Sequence, residues 1–233
     1  MDARAQWVNT ADQQRLYVKS WGDGRNPALI LVHGYPDHQE VWERVIPHLI
    51  QNFFVVTYDV RGAGQSSAPR RVKDYRLEQL SADLVSVAQA LLGGRSFHLA
   101  AHDWGSIQSW ESVTDARFRG RILSYTTISG PCLDHAAFWM RGQFRHEKAA
   151  FFRQLGKSWY IAAFQLPFLA PAAWRFFSPE RWRRIVAWLE SGADLPLNAS
   201  IARDGKYGVR LYRANFTQRL LKPRARYAVC PVQ

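Results

Sequence analysis

The pentapeptide Ala101-His102-Asp103-Trp104-Gly105 directly follows the apolar stretch Phe97-His98-Leu99-Ala100, which has the composition of a buried strand. A strand, a sharp turn that carries one reactive residue, and a helix together form a nucleophile elbow, which raises that residue above the edge of the sheet. The turn brings the residues two before and two after the nucleophile close together, so both must be small. Ala101 and Gly105 meet this requirement. The sequence therefore predicts that Asp103 is a nucleophile at a strand-to-helix turn.

The choice of aspartate at this position indicates the type of reaction. A carboxylate is already ionised at pH 7 and can attack an electrophilic sp3 carbon without a base to activate it. We therefore expect the substrate to be an epoxide or an alkyl halide and not an ordinary ester.

Hydrophobic patterning predicts strands that alternate with helices on both sides of the elbow. Such alternation indicates a mostly parallel, doubly wound α/β sheet. The predicted strands are Gln6–Thr10, Arg15–Trp21, Ala28–Val32, Phe53–Tyr58, Ser96–Ala100 and Ile122–Ile128. The predicted helices are Gln39–Leu49, Leu77–Leu92 and Gly105–Ala116. The last seven residues, Tyr227–Gln233, have the pattern of a strand that is cut short.

Charge divides the chain into two regions. Residues 1–130 contain 14 Lys and Arg against 13 Asp and Glu, whereas residues 131–233 contain 17 against 6. From Pro131 to about residue 217 the pattern changes to helical segments interrupted by prolines. We therefore predict an α/β core at 1–130, a helical lid at 131–217 and a return to the core at 218–233.

The lid is basic and also rich in aromatic residues. The interpretation that we rank first is a solvated lid surface, and the second is a peripheral contact with a membrane, which this composition suits. No nucleic-acid-binding motif accompanies the charge, so nucleic acid is not expected as a partner. The longest apolar stretch, Tyr160–Trp174, contains Pro167 and Pro171 and is too short for a membrane span. Two cysteines in no disulfide or metal pattern fit a reducing, cytoplasmic compartment. We expect no metal and no cofactor.

Three motifs in this order resemble those of the α/β-hydrolase superfamily, in its epoxide hydrolase and haloalkane dehalogenase branch. They are His33-Gly34-Tyr35-Pro36, Asp59-Val60-Arg61-Gly62-Ala63-Gly64-Gln65-Ser66 and His102-Asp103-Trp104-Gly105, and each follows a predicted strand. The resemblance implies the α/β-hydrolase fold with a helical lid. It also implies that the backbone N–H groups of Tyr35 and Trp104 form an oxyanion hole, which His33, Gly34 and Pro36 support.

The lid sequence favours an epoxide over a halide. Epoxide hydrolases resemble one another in donating protons to the epoxide oxygen from two lid tyrosines, and Tyr160 and Tyr212 fit the sequence context of that pair. Tyr160 precedes Phe164-Gln165, and Tyr212 opens the segment Tyr212-Arg213-Ala214-Asn215. A phenol, whose pKa is about 10, remains a proton donor at pH 7. We therefore expect a small apolar epoxide as the substrate and an alkyl-enzyme ester on Asp103 as the intermediate.

Two alternatives stay open. In a haloalkane dehalogenase the Trp104 indole N–H would bind the leaving halide, although Tyr35 stands where such enzymes often have Asn. A non-catalytic protein of this fold would instead use the basic aromatic lid to bind a lipid or a membrane.

The resemblance also implies a histidine base after the final strand, but the last histidine of this sequence is His146. We therefore expect that the chain lacks the last strands and the final helix, as a fragment or a shortened homologue, and that turnover is lost. The chain ends also resemble the hydrolase module of proteins that join an epoxide hydrolase to a short-chain dehydrogenase. That resemblance implies a downstream NAD(P)-binding domain in the complete polypeptide.

Overall fold

The computed structural model describes residues 3–189 and 197–233 as a six-stranded sheet with helices on both faces. The strands are β1 (Arg4–Asn9), β2 (Arg15–Trp21), β3 (Ala28–Val32), β4 (Phe54–Tyr58), β5 (Phe97–His102) and β6 (Ile122–Ile128). Their spatial order is β1-β2-β4-β3-β5-β6. The pairs β1–β2 and β2–β4 are antiparallel, whereas β3–β4, β3–β5 and β5–β6 are parallel. The prediction of a mostly parallel α/β sheet is confirmed.

The central strands β3 and β4 are buried along their whole length. Successive side chains of a strand point to opposite faces, so a strand covered on both faces must be apolar throughout. Ile30 and Val32 pack into the large core cluster on one face, and Leu29 and Leu31 pack into a smaller cluster on the other. The continuous apolar run Ala28–Val32 therefore follows from its place in the middle of the sheet.

The helices of the core differ in how well the sequence pattern predicts them. The described helices are α1 (Ile46–Leu49), α2 (Leu77–Leu92), α3 (Trp104–Val113), α4 (Leu133–His146), α5 (Lys148–Lys157), α6 (Trp159–Phe164), α7 (Leu169–Ala173), α8 (Pro179–Leu189) and α9 (Ile201–Leu221). The predicted helix Gln39–Leu49 is instead a 3₁₀ turn at Gln39–Trp42 followed by the short α1. Pro47 explains the break, because proline lacks an N–H and is tolerated only in the first turn of a helix.

The described residues between β6 and α9 are mostly helical, as the change of pattern at Pro131 predicts. The long helix α9 then returns to the core, where Leu211 and Tyr212 join the main cluster beside Trp104. The lid boundaries of 131–217 stay a prediction, and residues 190–196 of that range lie outside the described residues.

The end of the chain lies beside β6 but forms less strand than the pattern of Tyr227–Gln233 predicts. Val232 makes an isolated parallel bridge with Tyr125, and the Gln233 N–H donates to the Tyr125 carbonyl at 2.9 Å. Pro231 has no N–H to offer, which limits the pairing here to its carbonyl. In the described part of the chain no helix is long and apolar enough to cross a membrane.

Candidate active site

Asp103 occupies the turn between β5 and α3 in a conformation that few non-glycine residues adopt, with φ of 51° and ψ of −121°. Its N–H donates to the Ile128 carbonyl at 2.8 Å, and its carbonyl accepts from the Ile107 N–H at 3.0 Å. These bonds tie the turn to β6 on one side and to the first turn of α3 on the other. A positive φ at a non-glycine residue is strained, and such strain is typical of functional sites.

Three glycines allow the backbone to pack this closely around Asp103. A Cβ at Gly34 would lie 2.6 Å from the Asp103 Cβ, and one at Gly105 would overlap the Val32 carbonyl oxygen. The third is Gly130, where a Cβ would overlap the Asp103 carbonyl oxygen. The pentapeptide motif identifies Gly105, but nothing local in the sequence signals Gly130, which reaches the elbow from the end of β6.

The Asp103 carboxylate is held by backbone donors. The Tyr35 N–H donates to Oδ1 at 2.8 Å, and the Trp104 N–H at the start of α3 lies close enough to favour the ionised carboxylate as well. Burial raises the pKa of Asp103 above its usual value of 3.8, while these two donors and the nearby His102 act in the opposite direction. The N-terminus of a helix favours negative charge as well. The arrangement keeps an anion in a half-buried site next to two donors placed as an oxyanion hole would require.

His33 lies below this loop and is buried. Its Nε2 accepts from the Val60 N–H at 2.8 Å, which requires Nδ1 to carry the proton that it donates to the Gly34 carbonyl at 2.8 Å. Burial lowers the pKa of His33 to about 4, so the ring is neutral at pH 7. The histidine thus connects the loop after β3 to the loop after β4, and Tyr35 and Pro36 follow directly on this anchor.

The two lid tyrosines lie close together, near enough to Asp103 for its charge to act on both. Tyr160 in α6 and Tyr212 in α9 have ring centroids 6.1 Å apart, and the Tyr212 ring packs at 4.8 Å against Trp104. Burial raises the pKa of each phenol, and the negative charge of Asp103 raises both further. Tyr212 is buried, whereas the Tyr160 side chain is exposed, at 40%. Both groups therefore remain protonated donors at neutral pH.

Asn215 is a supporting residue whose role local sequence does not reveal. Its Oδ1 accepts from the Leu77 N–H at the start of α2 at 2.9 Å, and its Nδ2 donates to the Tyr75 carbonyl at 2.9 Å. Asn215 lies one turn after Tyr212 on α9, so these bonds help to hold that part of α9, and Tyr212 with it, against the core. The segment that begins at Tyr212 predicts an asparagine, but its partner is more than one hundred residues away in sequence.

The other motif residues have structural contacts. Asp59 accepts from the Gln39 N–H at 3.0 Å and from the Gln65 N–H at 2.8 Å. The Arg61 side chain is buried and pairs with Asp83 at 2.5 Å and with Asp12 at 2.9 Å. These bonds hold the loop after β4 in place and leave both residues turned to the protein interior.

Comparison with known proteins gives the family. The alpha/beta hydrolase fold family matches residues 27–202. The probable oxidoreductase EphD of Mycobacterium tuberculosis is 32% identical over 220 residues, which are 90% of this chain but 36% of that protein. Epoxide hydrolase A of the same organism is 29% identical over 181 residues, covering 77% of this chain and 53% of its own length. The chain thus spans about a third of the first of these relatives.

Solved structures agree on the fold. An epoxide hydrolase from Vigna radiata, VrEH1, superposes with a TM-score of 0.73 at 22% identity, over 94% of this chain and 74% of that one. The Bacillus megaterium epoxide hydrolase gives a TM-score of 0.72 at 23% identity, over 94% of this chain and 75% of that one. At such identities the likeness concerns the fold alone. Together with the family match, it places the chain in the α/β-hydrolase superfamily, and the relatives and structures that the chain resembles include epoxide hydrolases.

Proposed function

We propose that this chain opens small apolar epoxides by nucleophilic attack of Asp103. The observation that carries the proposal is the grouping of a carboxylate, two backbone donors and two phenols at one site. The Asp103 carboxylate lies beside the Tyr35 and Trp104 N–H groups, and the Tyr160 and Tyr212 phenols lie near enough for its charge to raise their pKa values. An epoxide needs both a carboxylate and proton donors, because its carbon must be attacked while its oxygen is protonated.

In the first step a carboxylate oxygen of Asp103 forms a bond to an epoxide carbon, and the bond from that carbon to the ring oxygen breaks. The electron pair of the broken bond moves to the ring oxygen, which takes a proton from Tyr160 or Tyr212. The products are a hydroxyalkyl ester on Asp103 and a phenolate, which recovers its proton from water. The high pKa of the phenols makes this recovery favourable at neutral pH.

In the second step water attacks the ester carbonyl, and the Tyr35 and Trp104 N–H groups stabilise the oxyanion that forms. Such an attack needs a general base. The resemblance implies that this base is a histidine after the final strand, and the sequence contains no histidine after His146. We therefore propose that the ester on this 233-residue chain is long-lived. The slow step is then hydrolysis, not ring opening.

Intact-mass spectrometry of the 233-residue chain with a reactive terminal epoxide tests both steps. We expect a single persistent adduct with the mass of the epoxide, which peptide mapping places on Asp103. Asp103→Asn should abolish the adduct, and the double variant Tyr160→Phe with Tyr212→Phe should slow it by about a hundredfold or more. Tyr227→Phe is the matched control, because Tyr227 is an exposed tyrosine near the chain end.

The outcomes separate the two claims. Labelling that survives Asp103→Asn would overturn the nucleophile assignment. Continued diol release without a lasting adduct would contradict the long-lived ester but leave the first step intact.

One observation favours the dehalogenase alternative. The Trp104 Nε1 is buried beside the Tyr212 phenol, and within the described residues it makes no hydrogen bond of good geometry, as would suit a donor that awaits a leaving halide. Tyr35, in a position where such enzymes often have Asn, argues against it. The same mass experiment with a bromoalkane decides, because one equivalent of halide and an alkyl ester, with no reaction of epoxides, would favour this alternative.

We also propose that the complete polypeptide carries a downstream NAD(P)-binding dehydrogenase domain. The support is the resemblance of the chain ends to fused proteins and the length of the relative named a probable oxidoreductase. The coding sequence that follows Gln233 tests this, since the domain requires a glycine-rich dinucleotide fingerprint after a strand.

A further inference from the structure

The lid exposes large apolar side chains on α7, on α8 and on the segment between them. Phe168 is 83% exposed and Trp188 is 81% exposed. Leu169, Phe176 and Leu189 are exposed as well. Scattered exposed apolar residues are ordinary, but a group of them on two neighbouring elements marks an interaction surface.

The spacing on α8 separates a packing face from an outward face. Trp182 packs against Trp174 at 5.3 Å and against Phe177 at 5.9 Å, so it belongs to the interior of the lid. Arg181, Arg184 and Trp188 stand at positions i, i+3 and i+7, which share another side of a helix. The outward side therefore presents a tryptophan one turn beyond two arginines, and all three are exposed.

The charge of this part of the lid is mostly positive. Residues 164–189 contain four arginines and one acidic residue, Glu180. Basic residues combined with tryptophan and phenylalanine are the composition of helices that lie in the interface of an anionic bilayer. A second copy of the chain would bring the same arginines against one another, because a two-fold interface pairs a surface with itself. Charge thus favours lipid over self-association.

An apolar groove of about 530 Å³ opens beside this surface. Leu169 of α7 and Trp182 of α8 both line it, and so do Tyr35 and Pro36 of the loop that holds Asp103. Leu169 is at once exposed and part of the groove, so the mouth of the groove lies at the exposed apolar group.

We propose that the α7–α8 face, defined as Phe168, Leu169, Phe176, Arg181, Arg184 and Trp188, docks on the surface of an anionic lipid bilayer. The aromatic side chains enter the headgroup region, the arginines pair with lipid phosphates, and the groove opens toward the apolar phase. An apolar molecule dissolved in the bilayer then reaches the lid without crossing water.

Co-sedimentation of the 233-residue chain with vesicles tests this. We expect binding to phosphatidylcholine vesicles that contain about one third phosphatidylglycerol, weaker binding at high salt, and little binding to pure phosphatidylcholine. Arg181→Glu with Arg184→Glu should weaken binding by about tenfold or more. Phe168→Ser with Trp188→Ser should weaken it without any change of charge. The matched control is Arg4→Glu with Arg119→Glu, which makes the same charge change at exposed residues of the core.

Circular dichroism and thermal unfolding verify that each variant is folded. Equal loss of binding in the control and in the α8 double variant would reduce the effect to net charge and overturn the assigned face. Binding that does not depend on lipid charge would also overturn it. So would binding that is unchanged both in Arg181→Glu with Arg184→Glu and in Phe168→Ser with Trp188→Ser. A dimer in sedimentation velocity without lipid, abolished by Phe168→Ser with Trp188→Ser, would assign the face to a second copy of the chain instead.

Discussion

Asp103 is subject to opposing influences on its pKa, and their balance decides when it can react. Burial favours the neutral acid, whereas the Tyr35 and Trp104 N–H groups and the nearby His102 favour the carboxylate. Burial is the largest of these effects, so the pKa lies above 3.8. Nucleophilic attack requires the ionised form, which connects this balance directly to the rate of ester formation.

The rate of Asp103 labelling should therefore begin to fall at a higher pH than it would for an aspartic acid with the usual pKa. As pH rises, the initial rate of adduct formation increases with a midpoint above 3.8, the usual pKa of an aspartic acid. It is constant through neutral pH and falls only above 10, because the phenols of Tyr160 and Tyr212 have raised pKa values. Quenched time courses read by intact mass measure this profile. An acid limb at or below 3.8 would contradict the role of burial.

His33 offers a second test at the scale of one residue. Its pKa is about 4 in the folded chain against 6.5 when unfolded, so the unfolded state binds the proton more readily below pH 6.5. The neutral ring makes its full contribution to the free energy of unfolding above pH 6.5, and this contribution is lost as pH falls toward 4. The loss is on the order of 3 kcal/mol in the free energy of unfolding. Urea unfolding of wild type and His33→Asn should show the difference between them shrinking over this range.

At neutral pH, His33→Asn should itself destabilise by about 1–3 kcal/mol, because the Val60 N–H loses its buried acceptor. Stability curves of the two proteins that run parallel from pH 7 to 4 would show that His33 does not titrate as its burial requires.

At the scale of elements, the elbow depends on contact between backbones that only glycine permits. A Cβ at Gly105 would meet the carbonyl oxygens of Val32 and His33, which belong to β3 and its following loop and cannot turn aside. Gly142 in α4 has no neighbour near a built Cβ. The two glycines therefore give a matched pair, one required by packing and one free of it.

Gly105→Ala should destabilise by about 3 kcal/mol or more, because α3 must move away from β3. Gly142→Ala should stabilise by about 0.5–1 kcal/mol, since alanine is the better helix former. Urea midpoints measure both changes. A Gly105→Ala variant as stable as wild type would show that the elbow can accommodate a Cβ at position 105.

Elements with a local cause could be predicted, and contacts between distant segments could not. Arg15–Trp21, Ala28–Val32, Leu77–Leu92 and Ile122–Ile128 are predicted with the bounds that the structure has, because periodicity and turn residues determine them locally. The elbow and the two other motifs, His33–Pro36 and Asp59–Ser66, likewise predict the candidate site from local sequence. The contacts of Gly130 with Asp103 and of Asn215 with α2 depend on the folded arrangement, and no residue beside either position signals it.

At the scale of the whole molecule, a cluster of charges joins the lid helix α9 to the core. Arg219 on α9 pairs with Glu111 of α3 at 2.9 Å and with Asp134 of α4 at 3.1 Å. It also reaches Glu78 of α2 at 2.6 Å. Arg226 pairs with Glu111 and Asp134 from the segment that follows α9. One buried guanidinium thus connects four helices, including the one that carries Tyr212.

Arg219→Met should therefore destabilise the chain and weaken the candidate site together. Removing the cation leaves Asp134 buried with fewer partners, and breaking a buried pair costs about 3–5 kcal/mol. The matched control is Arg117→Met, which removes an exposed arginine paired with Asp115 and should change the urea midpoint little. Because Arg219 lies two turns from Tyr212 on α9, labelling of Asp103 in the folded variant should also slow, whereas Arg117→Met should label like wild type. If Arg219→Met unfolds at the wild-type midpoint, the cluster does not join the lid to the core.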